Sequence, residues 1–360
     1  MERKVAIIHD WLNGMRGGEK VLEEMLELLP GADIYTLFLE EENISDKIRS
    51  HRIIASPLNK YSFIRKRYKH FLPLFPAAIE SFNLTGYDLI ISISHCVAKG
   101  IIPGPDTTHI SYVNSPMRYI WDQYYSYFGK AKGIKKFFIQ RQISKLKLWD
   151  VTSSSRVDYF IGNSNFVKKR IWKYYRREAS VIHPPVDTDF YQPADNPKRD
   201  YFLTVSALVP YKEIGLLIEA FNRSGDRLII VGKGPEERKL KQRAGKNIIF
   251  KKNLPGEELK ELYQHAAAFV FAGVEDFGIV FVEAQACGTP VLAYKKGGVL
   301  DIVTEDTGIL FEQQTPEHII NAINKIKKMA LKPLIIRKNS IKFSKESFKK
   351  NFKDYMNDRL

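Results

Sequence analysis

The sequence predicts an α/β protein built on parallel strands, with enough chain for two cores. Three observations lead there. Ala266 to Phe271 is a short apolar run, followed by a loop bracketed by Gly273 and Gly278. Val280 to Cys287 is then a short helix stopped by Gly288-Thr289-Pro290, and Val291 to Tyr294 is the next strand. A helix between two strands implies a parallel pair, whose loops at the carboxyl ends are where open α/β sheets bind ligands. The second observation is a unit of the same kind at the start: Val5 to His9 as a strand, a loop ending in Gly17-Gly18, and helical spacing from Glu19 to Leu29. The third is Val181-Ile-His-Pro-Pro-Val-Asp-Thr-Asp-Phe-Tyr-Gln-Pro193, whose prolines and turn formers mark a semi-rigid linker between two halves.

Composition supports this and narrows the function. The chain has 360 residues, 44% of them hydrophobic, enough for two domains of about 100–200 residues each. Cys96 and Cys287 make neither a disulfide framework nor a metal set, which favours a reduced, cytoplasmic setting. The first ten residues hold too short an apolar run for a signal peptide, and no stretch of about 18 apolar residues exists, so a soluble or peripheral protein is expected. The net charge of +15 is unevenly placed: residues 1–50 carry −5, residues 51–180 carry +15, residues 181–200 carry −2 and residues 201–360 carry +7. A basic belt in the first half points to an anionic partner. Within it, residues 60–73 and Lys132 to Trp149, the latter preceded by Lys130, interleave cations with aromatic side chains, as interfacial helices do, against the alternative of ordinary amphipathic surface helices. No recognised nucleic-acid module is present, so no nucleic-acid partner is expected.

Taken in order, Gly17-Gly18 lets backbone approach a phosphate closely, or is simply a strand–helix turn; it is not a G-x-G-x-x-G fingerprint. Asp88 to Ser94 is a buried strand running into His95-Cys-Val-Ala-Lys99-Gly. Ile110 to Asp122 holds Arg118 and Tyr119, and Arg118 either meets a phosphate or buttresses its loop. Tyr159 to Gly162 reads as the last strand of the first domain, with Asn163 or Ser164 capping the helix after it. Tyr201 to Ser206 opens the second domain, ahead of Ala207 and Lys212. Arg227 to Gly234 is a strand with a Gly-x-Gly turn, and Asn247 to Pro255 another strand with Asn253 and Leu254 in its loop. The tail from Ile341 reads as a basic helix.

The chemistry concentrates in the stretch from Ala272 to Ala293. Glu275 lies in the loop and Glu283 in the first turns of the helix, with seven residues between them. A helix N-terminus suits a phosphate, and carboxylates beside it accept hydrogen bonds from sugar hydroxyls, so a nucleotide-sugar fits. The phrase Glu-Asp-Phe-Gly-Ile-Val-x-Val-Glu-Ala-x-Ala-Cys-Gly-Thr-Pro-Val closely resembles the E-x7-E signature of the retaining family-4 glycosyltransferases. Ser-His-x-x-Ala-Lys-Gly around His95, Pro-Met-Arg-Tyr around Arg118, the Pro-Pro-Val-Asp hinge and Val-Gly-x-Gly-Pro resemble further elements of that family, in the same order along nearly the whole chain.

The resemblance implies a GT-B fold, two Rossmann-like domains facing across a deep cleft: residues 1–182 for the acceptor, 183–197 as linker, 198–340 for the nucleotide-sugar, and 341–360 as a helix packed back on the first domain. It implies catalytic roles for His95, Lys212 and Glu275, with Lys99 a further donor-sugar candidate. Donor contacts are implied for Gly17, Gly18, Lys212, Gly234, Asn253, Leu254, Phe277, Gly278, Ile279, Val280 and Glu283, and acceptor contacts for Arg118 and Tyr119. Gly297-Gly298 would shape the sugar pocket. The implied reaction moves a hexose with retention, without metal or other cofactor; Asp187-Thr-Asp189 is read as linker rather than as a metal pair. Family members carry an arginine where this chain has Ala207, so either Lys212 works with helix amides alone or another cation substitutes. The subfamily looked most similar is that of O-antigen and exopolysaccharide mannosyltransferases. It implies GDP-mannose, a lipid-linked saccharide acceptor, and a peripheral place on the anionic inner face of the cytoplasmic membrane through residues 51–180. A UDP-hexose is the alternative donor, and a nucleotide-sugar epimerase of the same fold the more distant alternative.

Overall fold

The computed structural model describes residues 3–129 and 131–360; Lys130, one of the belt's cations, lies outside them. Two units emerge, Met1–Pro184 with Phe348–Leu360, and Pro185–Ser347.

The first unit holds seven strands: β1 Val5–His9, β2 Asp33–Thr36, β3 Ile53–Ala55, β4 Leu89–Ser94, β5 Thr108–Val113, β6 Tyr159–Gly162 and β7 Ala179–Val181. They pair in the order β3-β2-β1-β4-β5-β6-β7, and every pairing is parallel. Alternation explains why β1 and β4 carry apolar residues on both faces. Val5, Ile7, Leu89 and Ile91 enter one hydrophobic layer, while Ala6, Ile8 and Ile90 enter the other. A parallel sheet covered on both faces requires this. Helices α1 Gly17–Leu28, α2 Gly133–Ser153 and α3 Asn165–Tyr175 belong to this unit. Helix α1 packs through Val21, Leu22, Met25 and Leu26, one stripe at helical spacing.

The second unit repeats the plan with β8 Tyr201–Val205, β9 Leu228–Val231, β10 Ile248–Lys251, β11 Ala266–Phe271, β12 Val291–Tyr294 and β13 Gly308–Phe311, in the order β10-β9-β8-β11-β12-β13. Leu203, Ile229 and Phe269 face one layer, and Phe202, Leu228 and Ala268 the other. Its helices include α4 Ile214–Ser224, α5 Gly256–His265, α6 Ile279–Ala286 and α7 Pro333–Ser340, and α8 Lys345–Asn357 closes the chain. In each sheet the strand order reverses once, between β1 and β4 and between β8 and β11. The loops after those strands are the topological switch points, where such sheets bind ligands.

Three expectations about the chain's course need revision. Tyr159–Gly162 is not the last strand of its unit, because β7 pairs beyond it. The proline-rich stretch passes from the first unit to the second at Pro184–Pro185, but beyond that point it is packed rather than free: Val186 and Tyr191 are buried in the second unit's core. The Arg337 guanidinium fastens the stretch by donating to the carbonyls of Thr188 (3.2 Å), Tyr191 (2.8 Å) and Ala286 (3.0 Å). The tail is not one helix from Ile341. Phe343 sits in a 3₁₀ turn within the second unit's core, and α8 starts at Lys345. From Phe348 onward the chain belongs to the first unit, where Phe348, Phe352 and Met356 join the core. The Lys349 ammonium holds α8 to Glu27 at 2.7 Å and Glu24 at 3.4 Å. Among the described residues, no helix is long and apolar enough to cross a membrane.

Candidate active site

The first unit's switch point is organised by a residue the sequence did not single out. Asp10 follows β1 directly and is wholly buried. Its Oδ2 accepts the backbone N–H groups of His95 (2.6 Å) and Cys96 (2.8 Å), and its Oδ1 those of Val97 (2.7 Å) and Ala98 (2.8 Å). The His95 Nδ1 lies 3.0 Å from the same Oδ2. Burial opposes ionisation, but the His95 imidazole and these hydrogen bonds outweigh it and hold the Asp10 carboxyl at about 2. Every partner must donate to such a carboxylate, so the proton of neutral His95 sits on Nδ1 and Nε2 keeps its lone pair. The Trp11 ring meets the imidazole edge-on at 4.4 Å, which fixes the ring plane further. The His95 side chain remains 31% exposed.

Gly17 and Gly18 open α1 beside this turn. A Cβ on Gly18 would lie 3.1 Å from His9 Nε2 and 3.2 Å from Asn114 Nδ2, so only glycine fits without displacing them. His9 is buried with Nδ1 on the Trp11 carbonyl at 2.9 Å and, among the described residues, no hydrogen-bond partner at Nε2. Burial pushes its pKa down and keeps it neutral.

Two residues expected to contact substrate have structural partners instead. Lys99 is buried, with Nζ on the Asp150 carboxylate (2.9 Å), the Asp150 carbonyl (2.7 Å) and Ser153 Oγ (2.9 Å). Asp150 also accepts Trp121 Nε1 (2.7 Å) and the Tyr175 hydroxyl (3.0 Å). Sequence adjacency to His95 suggested a site residue, yet the 3₁₀ turn Ala98–Gly100 points the lysine into the core. The Tyr119 hydroxyl donates to the Cys96 sulfur and so buttresses the Asp10-held turn, and burial pushes its pKa well up. Arg118 is half-buried one residue earlier.

At the second unit's switch point, Lys212 ends a 3₁₀ turn after β8, and its ammonium pairs with the Glu275 carboxylate from the loop after β11. Close packing of the two loops explains the pairing: a Cβ on Gly273 would lie 3.0 Å from the Lys212 Cα and from the Lys212 and Tyr211 carbonyl oxygens. Ala207, where an arginine was expected, is exposed in the loop after β8. Gly278, at φ +99°, turns the chain into α6. Its N-cap is Gly278, which has no side chain to cap with, and the first-turn amides of Ile279 and Val280 have no intrahelical acceptor and present partial positive charge. Phe277 contributes backbone here, because its ring is buried edge-on against Phe343 at 5.5 Å. The Gly298 N–H donates to the Glu275 carbonyl at 2.9 Å, which ties the loop after β12 to the glutamate.

The remaining expected donor contacts spread along the strand ends. Gly234 follows β9, and Asn253 and Leu254 follow β10, one and two strands from β8. At about 4.8 Å per strand, this row extends about 10 Å from Lys212, the scale of a nucleoside beyond its phosphates. Gly234 also has a steric reason to be glycine, since a Cβ would fall 2.3 Å from the Leu208 carbonyl oxygen. Asn253 adopts a left-handed φ of 52°. Glu283 is brought to different partners from Glu275: it is buried and accepts the Tyr263 hydroxyl at 3.0 Å. Burial, together with the charge of Glu283, pushes the phenols of Tyr263 and Tyr191 up.

Residues 186–343 match the family described as "Glycosyl transferases group 1". The chain is 32% identical over 201 residues to the "Probable sucrose-phosphate synthase" of Thermosipho melanesiensis, covering 50% of this chain and 44% of that protein. It is 30% identical over 194 residues to the "GDP-mannose-dependent alpha-(1-6)-phosphatidylinositol monomannoside mannosyltransferase" of Mycolicibacterium smegmatis, covering 44% of this chain and 50% of that protein. The chain thus spans about half the length of these curated relatives. Among solved structures, the sucrose-phosphate synthase of Thermosynechococcus elongatus superposes with TM-score 0.72 at 18% identity, covering 99% of each chain. Anabaena Alr3699/HepE in complex with UDP superposes with TM-score 0.71 at 15% identity, covering 99% of this chain and 100% of that one. The chain thus folds as two Rossmann-like α/β units, the GT-B fold of these solved structures, and its residues 186–343 are similar to the group 1 glycosyl transferases.

Proposed function

We propose that the chain is a retaining hexosyltransferase that takes mannose from GDP-mannose and passes it to a lipid-linked saccharide in cell-surface polysaccharide synthesis. The observation that carries this reading is the second unit's switch point, where the Lys212–Glu275 pair lies beside the glycine-led start of α6 inside the matched segment. Lys212 and the amides of Ile279 and Val280 stabilise the departing diphosphate. Glu275 holds sugar hydroxyls and Glu283 the ribose, while Gly234, Asn253 and Leu254 line the nucleoside's path. Gly17 and Gly18 approach the donor phosphates. From the first unit, His95 contacts the transferred sugar through Nε2, and Arg118 meets the acceptor.

Transfer proceeds by same-face displacement. The bond from the anomeric carbon to the diphosphate oxygen breaks, the acceptor oxygen bonds to that carbon, and the acceptor's proton passes to the leaving diphosphate. A glycosyl-enzyme adduct trapped in a mass spectrum would exclude this path. No metal takes part in this scheme. The enzyme works at the inner face of the cytoplasmic membrane, where the basic residues of 51–180 favour an anionic surface.

The mannose assignment draws on the mannosyltransferase relative. A UDP-hexose is the second reading, supported by the structural similarity to Alr3699/HepE, solved with UDP and with UDP-glucose. Thermal shift with GDP, UDP, ADP and CMP, each with and without Mg²⁺, tests both. A ligand at about 100 times its Kd stabilises by about 2.7 kcal/mol. Stabilisation by GDP alone, unchanged by Mg²⁺, supports mannosyl transfer, whereas selective UDP stabilisation moves the donor to a UDP-hexose. If no nucleotide stabilises the protein, Ala207 has cost the site its hold on phosphate and the activity is withdrawn.

A further inference from the structure

Helix α2 has two apolar faces. At about 100° per residue, Ile143, Leu146 and Asp150 share the arc that is buried. Ile134, Phe137, Phe138 and Leu148 share an arc of roughly 100° on the other side. They are 79%, 60%, 58% and 68% exposed. No residue of the helix before Ile143 is buried, so its first two turns carry bare Ile134, Phe137 and Phe138 with no core of their own. An ordinary surface helix turns polar residues outward, and a helix buried all round would hide these rings. This one does neither.

The surrounding charge identifies what covers the outer face. No Asp or Glu occurs from Gln123 to Trp149, while Lys132, Lys135, Lys136, Arg141, Lys145 and Lys147 do. Among the described residues, Lys132, Lys135, Lys136, Arg141 and Lys145 make no ion pair. Arg141 and Lys145 lie on the same outer arc, where their apolar stems extend the contact and their charged ends reach its rim. A second copy of this chain would oppose the same cations to themselves. An anionic phospholipid surface accepts both features, rings among the acyl chains and cations among the phosphates.

We propose that the first half of α2 is a lipid anchor whose Ile134, Phe137 and Phe138 insert into an anionic bilayer, so that binding has a salt-resistant apolar part as well as a charge part. This deepens the membrane placement proposed above but is independent of donor, acceptor and catalysis.

The test is flotation of the full chain with phosphatidylcholine vesicles, with or without phosphatidylglycerol, at low salt and at about 1 M NaCl, where the Debye length falls to about 3 Å. Wild type is expected to float with the anionic vesicles at low salt and in part at high salt. Phe137→Ser with Phe138→Ser should lower the fraction bound at high salt by about tenfold or more, with an unchanged melting curve because both rings are exposed. Lys135→Glu with Arg141→Glu should remove the preference for anionic vesicles. The proposal is overturned if wild type loses all binding at high salt, if the serine variant binds as wild type does, or if neutral and anionic vesicles bind equally. Light scattering supplies the last outcome: a wild-type dimer that the serine variant turns into a monomer would assign the face to a second copy and overturn the lipid.

Discussion

Asp10 in the first unit and Glu275 in the second both sit at a switch point, in the loop after a central strand. Asp10 has no exposed surface and accepts four backbone N–H groups as well as His95. Glu275 has a cationic side-chain partner, Lys212, and its side chain is 19% exposed. A carboxylate saturated by backbone belongs to the scaffold and orients what hangs from it. A carboxylate balanced by one ammonium can give that partner up to an anionic ligand and accept a hydroxyl in its place. A switch-point carboxylate therefore fixes a turn in one sheet and remains able to change partners in the other.

The comparison breaks most visibly at Asp10. Asp10→Ala leaves the four amides of this turn without their acceptor, and at about 1–3 kcal/mol each the loss should unfold the first unit or bring its urea midpoint far below that of wild type. An Asp10→Ala protein with a wild-type midpoint would show that the carboxylate is not structural. Lys99→Met probes the neighbouring buried pair: leaving Asp150 without its ammonium should cost about 3–5 kcal/mol in chemical denaturation. A loss of transfer at unchanged stability would instead return Lys99 to the site.

Acid should separate the units next. Burial brings the first unit's His109 down from its usual 6.5 to about 4. As pH falls through 6.5 the unfolded chain takes up this proton and the native state does not, so stability drops between pH 6.5 and 4 by about 3 kcal/mol. Asp10, at about 2 against its usual 3.8, adds stability that is present above pH 3.8 and is lost as pH falls towards 2, about 2 kcal/mol more. Urea titrations across pH 7 to 4 should show that decline, and His109→Gln should flatten it. The smallest expected effect is at Glu275. Glu275→Gln removes the charge that neutralises Lys212, so a nucleoside diphosphate should bind about tenfold more tightly, about 1.4 kcal/mol, while transfer is lost. Calorimetry with GDP and with UDP reads the first half; unchanged or weaker binding of both would mean that the pair does not compete with phosphate.

Much of this was written locally in the chain. Val5 to Ile8 and Ala266–Phe271 are continuous apolar runs because both faces of a parallel sheet are covered, and that pattern is visible without coordinates. Glu275 and the glycine entry to α6 lie within four residues of one another, so the sequence alone placed a carboxylate beside a helix start. What lay beyond reach depends on residues far apart in the chain. The amides that hold Asp10 are 85 to 88 residues away, and an aspartate after a strand looks like any turn former until they arrive. Lys99 reads as a site residue by its proximity to His95, but Asp150 captures it across 51 residues because a buried ammonium must find a counter-charge. The Pro-Pro stretch has the composition of a linker, yet Arg337 binds its carbonyls and Val186 completes a core. Helix α2 was legible as a helix rich in cations and rings, but which face meets the core is set by neighbours that only the tertiary structure supplies. The sequence determines periodicity and local chemistry; the partner of a buried charge, or the covered side of a helix, is decided by packing, because desolvation acts on whatever the fold brings together.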